Sequence, residues 1–331
     1  MTPRWTGFHS PLATGIRQYV AFKRALGRHF ATEDRTLRLL DRFLVEQGVQ
    51  RVEEITPDLL ASFLMSRPRT GPRSYNHLLG VVRRLLDWLV VHGALRSSPL
   101  QAKPRRETVQ RIPFLFDPPL ARRLLDLAAR VPDGTRAPLR GPTYHAIFAM
   151  LYGLGLRVAE AADVCCGDVD LDRNVLTIRH GKFGKSRLVP FGPRMAHLLR
   201  RYFARRRLRG MSLASEAPLF SFNGSRPIST NSIRNMFRDR FVPQLDLVVP
   251  TGTSRATVHC LRHSFAVGTL LRWYRTGSNP GARLPQLSTF LGHVNTRATA
   301  VYLTITAELL QQANVRFEAF ARPLLGEEAD P

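Results

Sequence analysis

A chain of 331 residues with 44% apolar content can bury two or three cores, and it has no apolar run approaching the length of a bilayer span, which argues against a membrane protein. Its three cysteines, two of them adjacent, exclude a disulfide framework and lack the two-residue gap of a zinc or redox pair; with no signal-peptide pattern at the N-terminus, a cytoplasmic location is expected. Lys+Arg 49 against Asp+Glu 25 gives a net charge of +24, positive in both halves (+7 over residues 1–100, +17 over 101–331), and such a spread points to a polyanion along a broad surface, nucleic acid first among them.

In chain order, the first hundred residues read as helices. ATGIRQYVAFKRALG stops at Gly27 and TEDRTLRLLDRFLVEQG at Gly48, each glycine suited to a C-terminal cap. TPDLLASFLMSR has Thr56 to cap its start and Pro57 at the first helical position, and YNHLLGVVRRLLDWLVVHG closes at Gly93. Four such helices predict a small all-α domain over residues 1–96. SSPLQAKPRRETVQRIP has no apolar period and is rich in Pro and Arg, so residues 97–112 are expected to be an extended linker.

The second domain is expected over 113–331. PPLARRLLDLAARV reads as a helix, VPDGTRAPLRGP as an extended loop, and TYHAIFAMLYGLG as an apolar helix stopping at glycines. NVLTIRH and SRLVPF alternate and are joined by GKFGK, which predicts a β-hairpin. GPRMAHLLRRYFARRRLRG is a helix with six arginines between Arg200 and Arg209, expected to face phosphate or else only solvent; PLFSF is a predicted strand and TNSIRNMFRDRFVPQL another helix. The fold class is therefore mainly α with a small β-sheet, α+β.

Lysine occurs only at Lys23, Lys103, Lys182 and Lys185, so a chain with 45 arginines keeps two lysines within GKFGKSR. Only the ammonium can give up a proton near neutral pH, which makes that turn a candidate for proton chemistry. In VHCLRHSFA, a helix would bring His259, Arg262 and His263 to one face. Histidines at i, i+4 suit a zinc helix, but Cys260 stands where a metalloprotease carries its glutamate; the other reading has His259 and Arg262 gripping a phosphate with His263 packing on the helix flank. Further groups are LGLRVAE with Arg157 and Glu160, and LGHVNTRATAVYL with His293 and Tyr302. Two guanidinium forks with imidazole donors suit the charge that develops on a phosphodiester under attack, and arginine can clamp but not act as base. A phenol titrates at about pH 10; arginines beside Tyr302 are expected to favour its phenolate and an imidazole to accept its proton.

These motifs, in this order, resemble the tyrosine recombinase, or phage integrase, family, with a likeness to its mobile-element and transposon-borne members. LYGLGLRVAEAADV is similar to the family's first arginine box, GKFGKSRLVP to its hairpin, HCLRHSFA to its His-x-x-Arg box, and LGH with a tyrosine nine residues after the histidine to its last box. The resemblance implies a helical core-binding domain plus a tyrosine-recombinase catalytic domain. It implies catalytic Arg157, Lys182, His259, Arg262, His293 and Tyr302, with Glu160 in support. Tyr302 would attack the scissile phosphate to give a 3′-phosphotyrosyl intermediate, Lys182 rather than Lys185 would protonate the leaving 5′-oxygen, His259 would exchange a proton with the tyrosine, and His293 would donate to phosphate. His263 would not be a metal ligand, and no cofactor, metal or ATP is implied. Partners would be double-stranded DNA recombination sites, a homotetramer or heterotetramer on that DNA, and sister recombinases or a directionality factor. The segment TAELLQQANVRFEAFARPLL looks like the family's C-terminal tail helix, docking on a neighbouring protomer or packing on its own domain, and LLRWYRTGSNPGARLPQLS, longer than in compact family members, resembles transposon-borne ones and would hold an inserted loop near 272–287.

Two other classes are weighed against this. A non-catalytic DNA-binding architectural protein explains charge and helices but not the ordered Arg, Lys, His-x-x-Arg, His, Tyr set. A metal-dependent nuclease would place carboxylates around its ions; Asp163, Asp168, Asp170 and Asp172 read instead as turn and strand-flank acids before the hairpin.

Overall fold

The computed structural model describes residues 6–106, 111–135, 137–179 and 186–304, with Leu310, Gln311 and Asn314. Lys182, Lys185 and nearly all of the expected tail helix lie outside the described residues. The chain divides into two compact units, Met1–Gln110 and Arg111–Pro331.

The first unit contains α1 (Ala13–Ala25), α2 (Ala31–Glu46), α3 (Pro57–Met65) and α4 (Pro72–Val91). Thr56 Oγ1 accepts from Leu59 N at 3.2 Å with Pro57 in the first turn, as the sequence pattern requires. On α4 the buried set Leu78, Leu79, Val82, Leu85, Leu86 and Leu89 follows helical spacing and faces Leu37, Leu40 and Leu44 of α2 in one core. Asp41, buried on α2, accepts from the backbone N–H groups of His9 and Ser10, which fixes the chain ahead of α1. Residues 97–106, the first part of the expected linker, run along α4. Arg83 donates to Ala102 O (2.6 Å), Asn76 and Arg105 exchange two hydrogen bonds (2.7 and 2.8 Å), and the Arg105 guanidinium lies 4.1 Å over the Tyr75 ring.

The second unit is built around α6 (Arg140–Gly153), which is apolar on nearly every side and therefore central, with Tyr144, Ile147, Phe148, Met150 and Leu151 buried. It packs against α5 (Pro118–Ala129), α8 (Pro193–Leu208) and α10 (Val258–Arg275), and α9 (Thr230–Asn235) opens the predicted TNSIRNMFRDRFVPQL helix. The predicted hairpin is present as β2 (Val175–Ile178) and β3 (Arg187–Pro190), antiparallel, with Leu176 opposite Val189 and Ile178 opposite Arg187; a two-residue β1 (Val169–Asp170), not foreseen, adds a third strand. Alternation puts Arg187 on the face of Val189, toward the core.

Three expectations are corrected. On α8, Arg200, Arg201, Arg205 and Arg207 are exposed, as is Arg209 just past its end, but Arg206 is wholly buried and donates to Leu219 O and Ser212 O. It continues the Ala196, Leu199, Tyr202 stripe that faces the core, so it holds a loop rather than contacting phosphate. PLFSF is not a strand: it pairs at an isolated bridge, Cys165 to Pro218, with Leu219 N donating to Val164 O. The expected loop at 272–287 is mostly helical, because α10 runs on to Arg275 and α11 (Pro280–Leu291) starts after a short turn. Asn279 caps α11 through Gly281 N (2.9 Å), and Leu284, Leu287 and Leu291 form its buried stripe. Tertiary burial of that stripe overrides Pro285 inside the helix.

Candidate active site

Three segments of the second unit meet around one carboxylate. α7 (Val158–Asp163) starts at Arg157, whose backbone N–H donates to Glu160 Oε2 (2.9 Å) and whose Nη1 donates to Oε1 (2.6 Å). From β3, Arg187 makes a two-pronged pair with the same carboxylate, Nη1 to Oε1 and Nη2 to Oε2, both 2.9 Å. From α10, Arg262 Nη1 stands 4.0 Å from Oε2. Burial alone would raise the Glu160 pKa, but the Arg187 pair and the Arg157 backbone N–H outweigh it and hold the carboxyl at about 2. Three guanidiniums therefore share one carboxylate.

The remaining arginine protons go to the end of α11, where a helix leaves carbonyls unpaired and its dipole is negative. Arg187 Nε donates to Phe290 O (2.8 Å), Arg262 Nη2 to Leu291 O (2.6 Å) and Arg157 Nη2 to Gly292 O (2.7 Å), so three successive carbonyls each take a different arginine. Arg262 Nη1 also donates to Gly155 O (2.7 Å). Both glycines of the LGL and LGH stretches have positive φ, +60° at Gly155 and +66° at Gly292. A side chain would also collide: a Cβ on Gly292 would lie 2.8 Å from Arg187 Nη1, and one on Gly155 2.5 Å from the Phe265 ring.

α10 begins at Thr257, whose N–H lies 3.3 Å from Cys260 Sγ. The buried thiol occupies the position from which an acid usually reaches back to a helix start, which accounts for Cys260 in VHCLRH. The three polar residues of that stretch then diverge. His259 is exposed at its rim, Arg262 is 1% exposed, and His263 is half-buried, its ring edge-to-face with His259 at 4.6 Å. Desolvation, then the charges of Arg262, Arg157 and Arg234, lower the His259 pKa. Burial, then Arg157, brings Arg262 down to about 10, so it stays protonated at neutral pH.

Tyr302 belongs to a 3₁₀ turn, Val301–Thr304, that follows the short α12 (Arg297–Ala300). It is 4% exposed and packs with Val267, Leu270 and Leu287. Its hydroxyl is 2.9 Å from His263 Nδ1. His293 stacks on the tyrosine ring (centroids 6.4 Å apart, 19°) and its Nδ1 is 2.7 Å from Oγ1 of the fully buried Thr299. Burial, followed by Arg262 and Arg157, brings His293 down to about 4; burial, followed by His259, Arg262 and His293, does the same to His263. Both imidazoles are neutral at physiological pH.

Arg157, Glu160, His259, Arg262, His293 and Tyr302 are thus brought together, while Lys182 lies outside the described residues. Two expectations change. Arg262 and Arg157 do pull the phenol toward ionisation, but burial is larger and the Tyr302 pKa is raised. His263, expected to be packing, holds the tyrosine hydroxyl. Sequence reasoning also passed over Arg187, although a charged residue on the inward side of a predicted strand was a legible signal. The four aspartates before the hairpin do unrelated tasks: Asp168 pairs with Arg179, Asp170 Oδ1 accepts from Asp172 N and Arg173 N in a turn, and Asp163 and Asp172 are exposed. Among the described residues no three His, Cys, Asp or Glu side chains are grouped to hold a metal ion.

The fold is that of recombinase catalytic domains. The Tn1549 transposon integrase in complex with a circular intermediate DNA superposes with a TM-score of 0.64 at 17% identity, covering 93% of this chain and 99% of that one. The XerH site-specific recombinase bound to a palindromic difH substrate gives 0.63 at 17%, over 87% and 79%. In sequence, the integrase/recombinase y4rB of Sinorhizobium fredii is 33% identical over 93% of this chain and 98% of its own length, and the tyrosine recombinase XerC of Chlorobaculum tepidum 28% over 81% and 82%. The model of the phage integrase family matches residues 122–308, and the chain belongs to that family. It is an enzyme, a site-specific recombinase of the tyrosine type.

Proposed function

We propose that this chain cuts and rejoins duplex DNA by attack of Tyr302 on a backbone phosphate, with neither metal nor ATP. The observation that carries the reading is the guanidinium cluster: Arg157, Arg187 and Arg262 around the single carboxylate of Glu160, beside His293 and Tyr302. Three positive charges against one negative favour a bound anion, and more so a transition state that gains negative charge. Arg157 and Arg262 stabilise the equatorial oxygens, His259 and His293 donate to phosphate, and Lys182 protonates the leaving 5′-oxygen. The product is a 3′-phosphotyrosyl ester. Because the ester keeps the bond energy, another strand's 5′-hydroxyl reverses the step.

The first unit, with residues 1–96 as its helical part, grips DNA as a core-binding domain, and residues 97–112 join it to a catalytic domain over 113–331. Joining two duplexes requires four active sites, so the working form is a tetramer on two sites, of one chain or shared with sister recombinases or a directionality factor, with the tail helix docking on a neighbour. It works on DNA in the cytoplasm, at the nucleoid. No helix among the described residues is long and apolar enough to cross a membrane.

The test is covalent trapping. A duplex site is first enriched by the protein from a random-sequence pool and then nicked, so that cleavage releases a short strand and stalls. Wild type should form a protein–DNA adduct that persists in EDTA. Tyr302→Phe should bind equally and form none; an adduct on that variant overturns the assignment, and an EDTA-sensitive cut points to a metal nuclease. Tight binding without cleavage by wild type would favour the architectural reading.

A further inference from the structure

We propose that His263, rather than His259, takes the phenolic proton of Tyr302 during strand cleavage and returns it during rejoining. This rests on the strand-transfer reading above. A base must lie within hydrogen-bond reach of the proton it removes. Among the described residues the hydrogen-bond partner of the Tyr302 hydroxyl is His263 Nδ1, at 2.9 Å. The contact is built rather than incidental. Tyr302 is buried in the small core of α10 and α11, so its hydroxyl has a fixed direction. The His263 ring packs edge-to-face with His259 at 4.6 Å and lies 5.5 Å from the phenol ring.

The helix divides the labour between the two histidines. Arg262 turns into the arginine cluster through Gly155 O and Leu291 O, and His259, exposed at the start of the same helix, lies in the field of Arg262, Arg157 and Arg234. His263, one turn further on, faces the nucleophile. The charged and titratable groups facing it are His259 and Arg262 from its own helix, His293 from the turn after α11, and Tyr302. Burial first, and then the charges of those three, keep the imidazole neutral, so its lone pair can accept a proton at physiological pH.

The step balances without a co-reactant. The Tyr302 O–H bond breaks and the proton passes to His263 Nδ1, which requires the tautomer with hydrogen on Nε2. The phenolate oxygen forms the O–P bond, the P–O5′ bond breaks, and its electron pair stays on the 5′-oxygen, which takes a proton from Lys182. In rejoining, the 5′-hydroxyl returns its proton to the lysine as it attacks, and the imidazolium protonates the departing phenolate.

The experiment measures single-turnover adduct formation by the full-length protein on the nicked, pool-selected duplex. His263→Asn keeps a hydrogen-bonding side chain but cannot carry the proton. It should bind DNA within about twofold of wild type, and cleave about 10²- to 10⁴-fold more slowly at neutral pH. Its rate should then rise about tenfold per pH unit as hydroxide replaces the base, a steeper profile than wild type. Added imidazole should restore His263→Ala but not His259→Ala. Cleavage by His263→Asn within about threefold of wild type, a pH profile parallel to wild type, or imidazole rescue of His259→Ala instead, overturns the proposal. Should these variants not fold, ¹⁵N-histidine spectra of wild type and Tyr302→Phe decide: the Nδ1 signal of His263 must move when the hydroxyl is removed, and an unmoved signal overturns it. If wild type forms no adduct, the strand-transfer reading fails, an outcome distinct from all of these.

Discussion

Replacing Glu160 with glutamine removes the one buried negative charge that three arginines share, and the structure gives the size of the effect. The carboxyl falls from 4.5, its value in an unfolded chain, to about 2 in the folded one. At ~1.4 kcal/mol per pH unit this is ~3 kcal/mol of folding free energy, and Glu160 is buried enough that solvent screening takes little of it. Because the folded value is the lower, the stabilisation is complete above pH 4.5 and is lost as pH falls toward 2, so about 2 of the 3 kcal/mol should be gone by about pH 3. The assay is urea unfolding of wild type and Glu160→Gln in a background where Trp5 and Trp88 are phenylalanine, so that Trp273 reports on the second unit. At pH 7 the variant should be about 3 kcal/mol less stable, and the gap should narrow as the medium is acidified. A gap under about 1 kcal/mol at pH 7, or one that stays constant down to about pH 3, would refute the claim that this carboxylate neutralises the cluster.

Two further outcomes follow from the same geometry. Arg187→Lys keeps the charge but cannot span both Glu160 oxygens and Phe290 O; adduct formation should fall about 10- to 100-fold while DNA affinity changes little, and unchanged cleavage kinetics would show that charge alone suffices. Gly292→Ala forces a side chain into a positive-φ position against Arg187. It should destabilise the second unit by about 1–3 kcal/mol in the same unfolding assay, and loss of cleavage should accompany it because Gly292 O positions Arg157.

Much of the fold was readable because local rules and burial agree. Helices α2, α3 and α4 carry regular apolar stripes with caps where the sequence puts them, and the β2–β3 hairpin alternates as a half-buried ribbon must. Reading failed where a tertiary partner overrode composition. The segment near 272–287 is expected to hold an inserted loop, yet Leu284, Leu287 and Leu291 are buried with α10 in one core as a helix. The arginine run on α8 looked uniformly exposed until the loop around Ser212 and Leu219 supplied buried carbonyls for Arg206.

For the site, the sequence by itself determined which chemistry is available: arginines that only clamp, imidazoles that can move a proton, one phenol in a matching box, and two glycines where backbone must come close. What only the tertiary structure decided is how those groups are shared out. Periodicity along α10 puts His259 and His263 on one face but says nothing of what approaches that face, and it is the turn carrying Tyr302, 39 residues downstream, that selects His263. In the same way, no spacing rule links Arg187 to Glu160; the end of α11 brings three arginines onto three successive carbonyls, because unpaired helix-end carbonyls and a single buried carboxylate are the acceptors available to them.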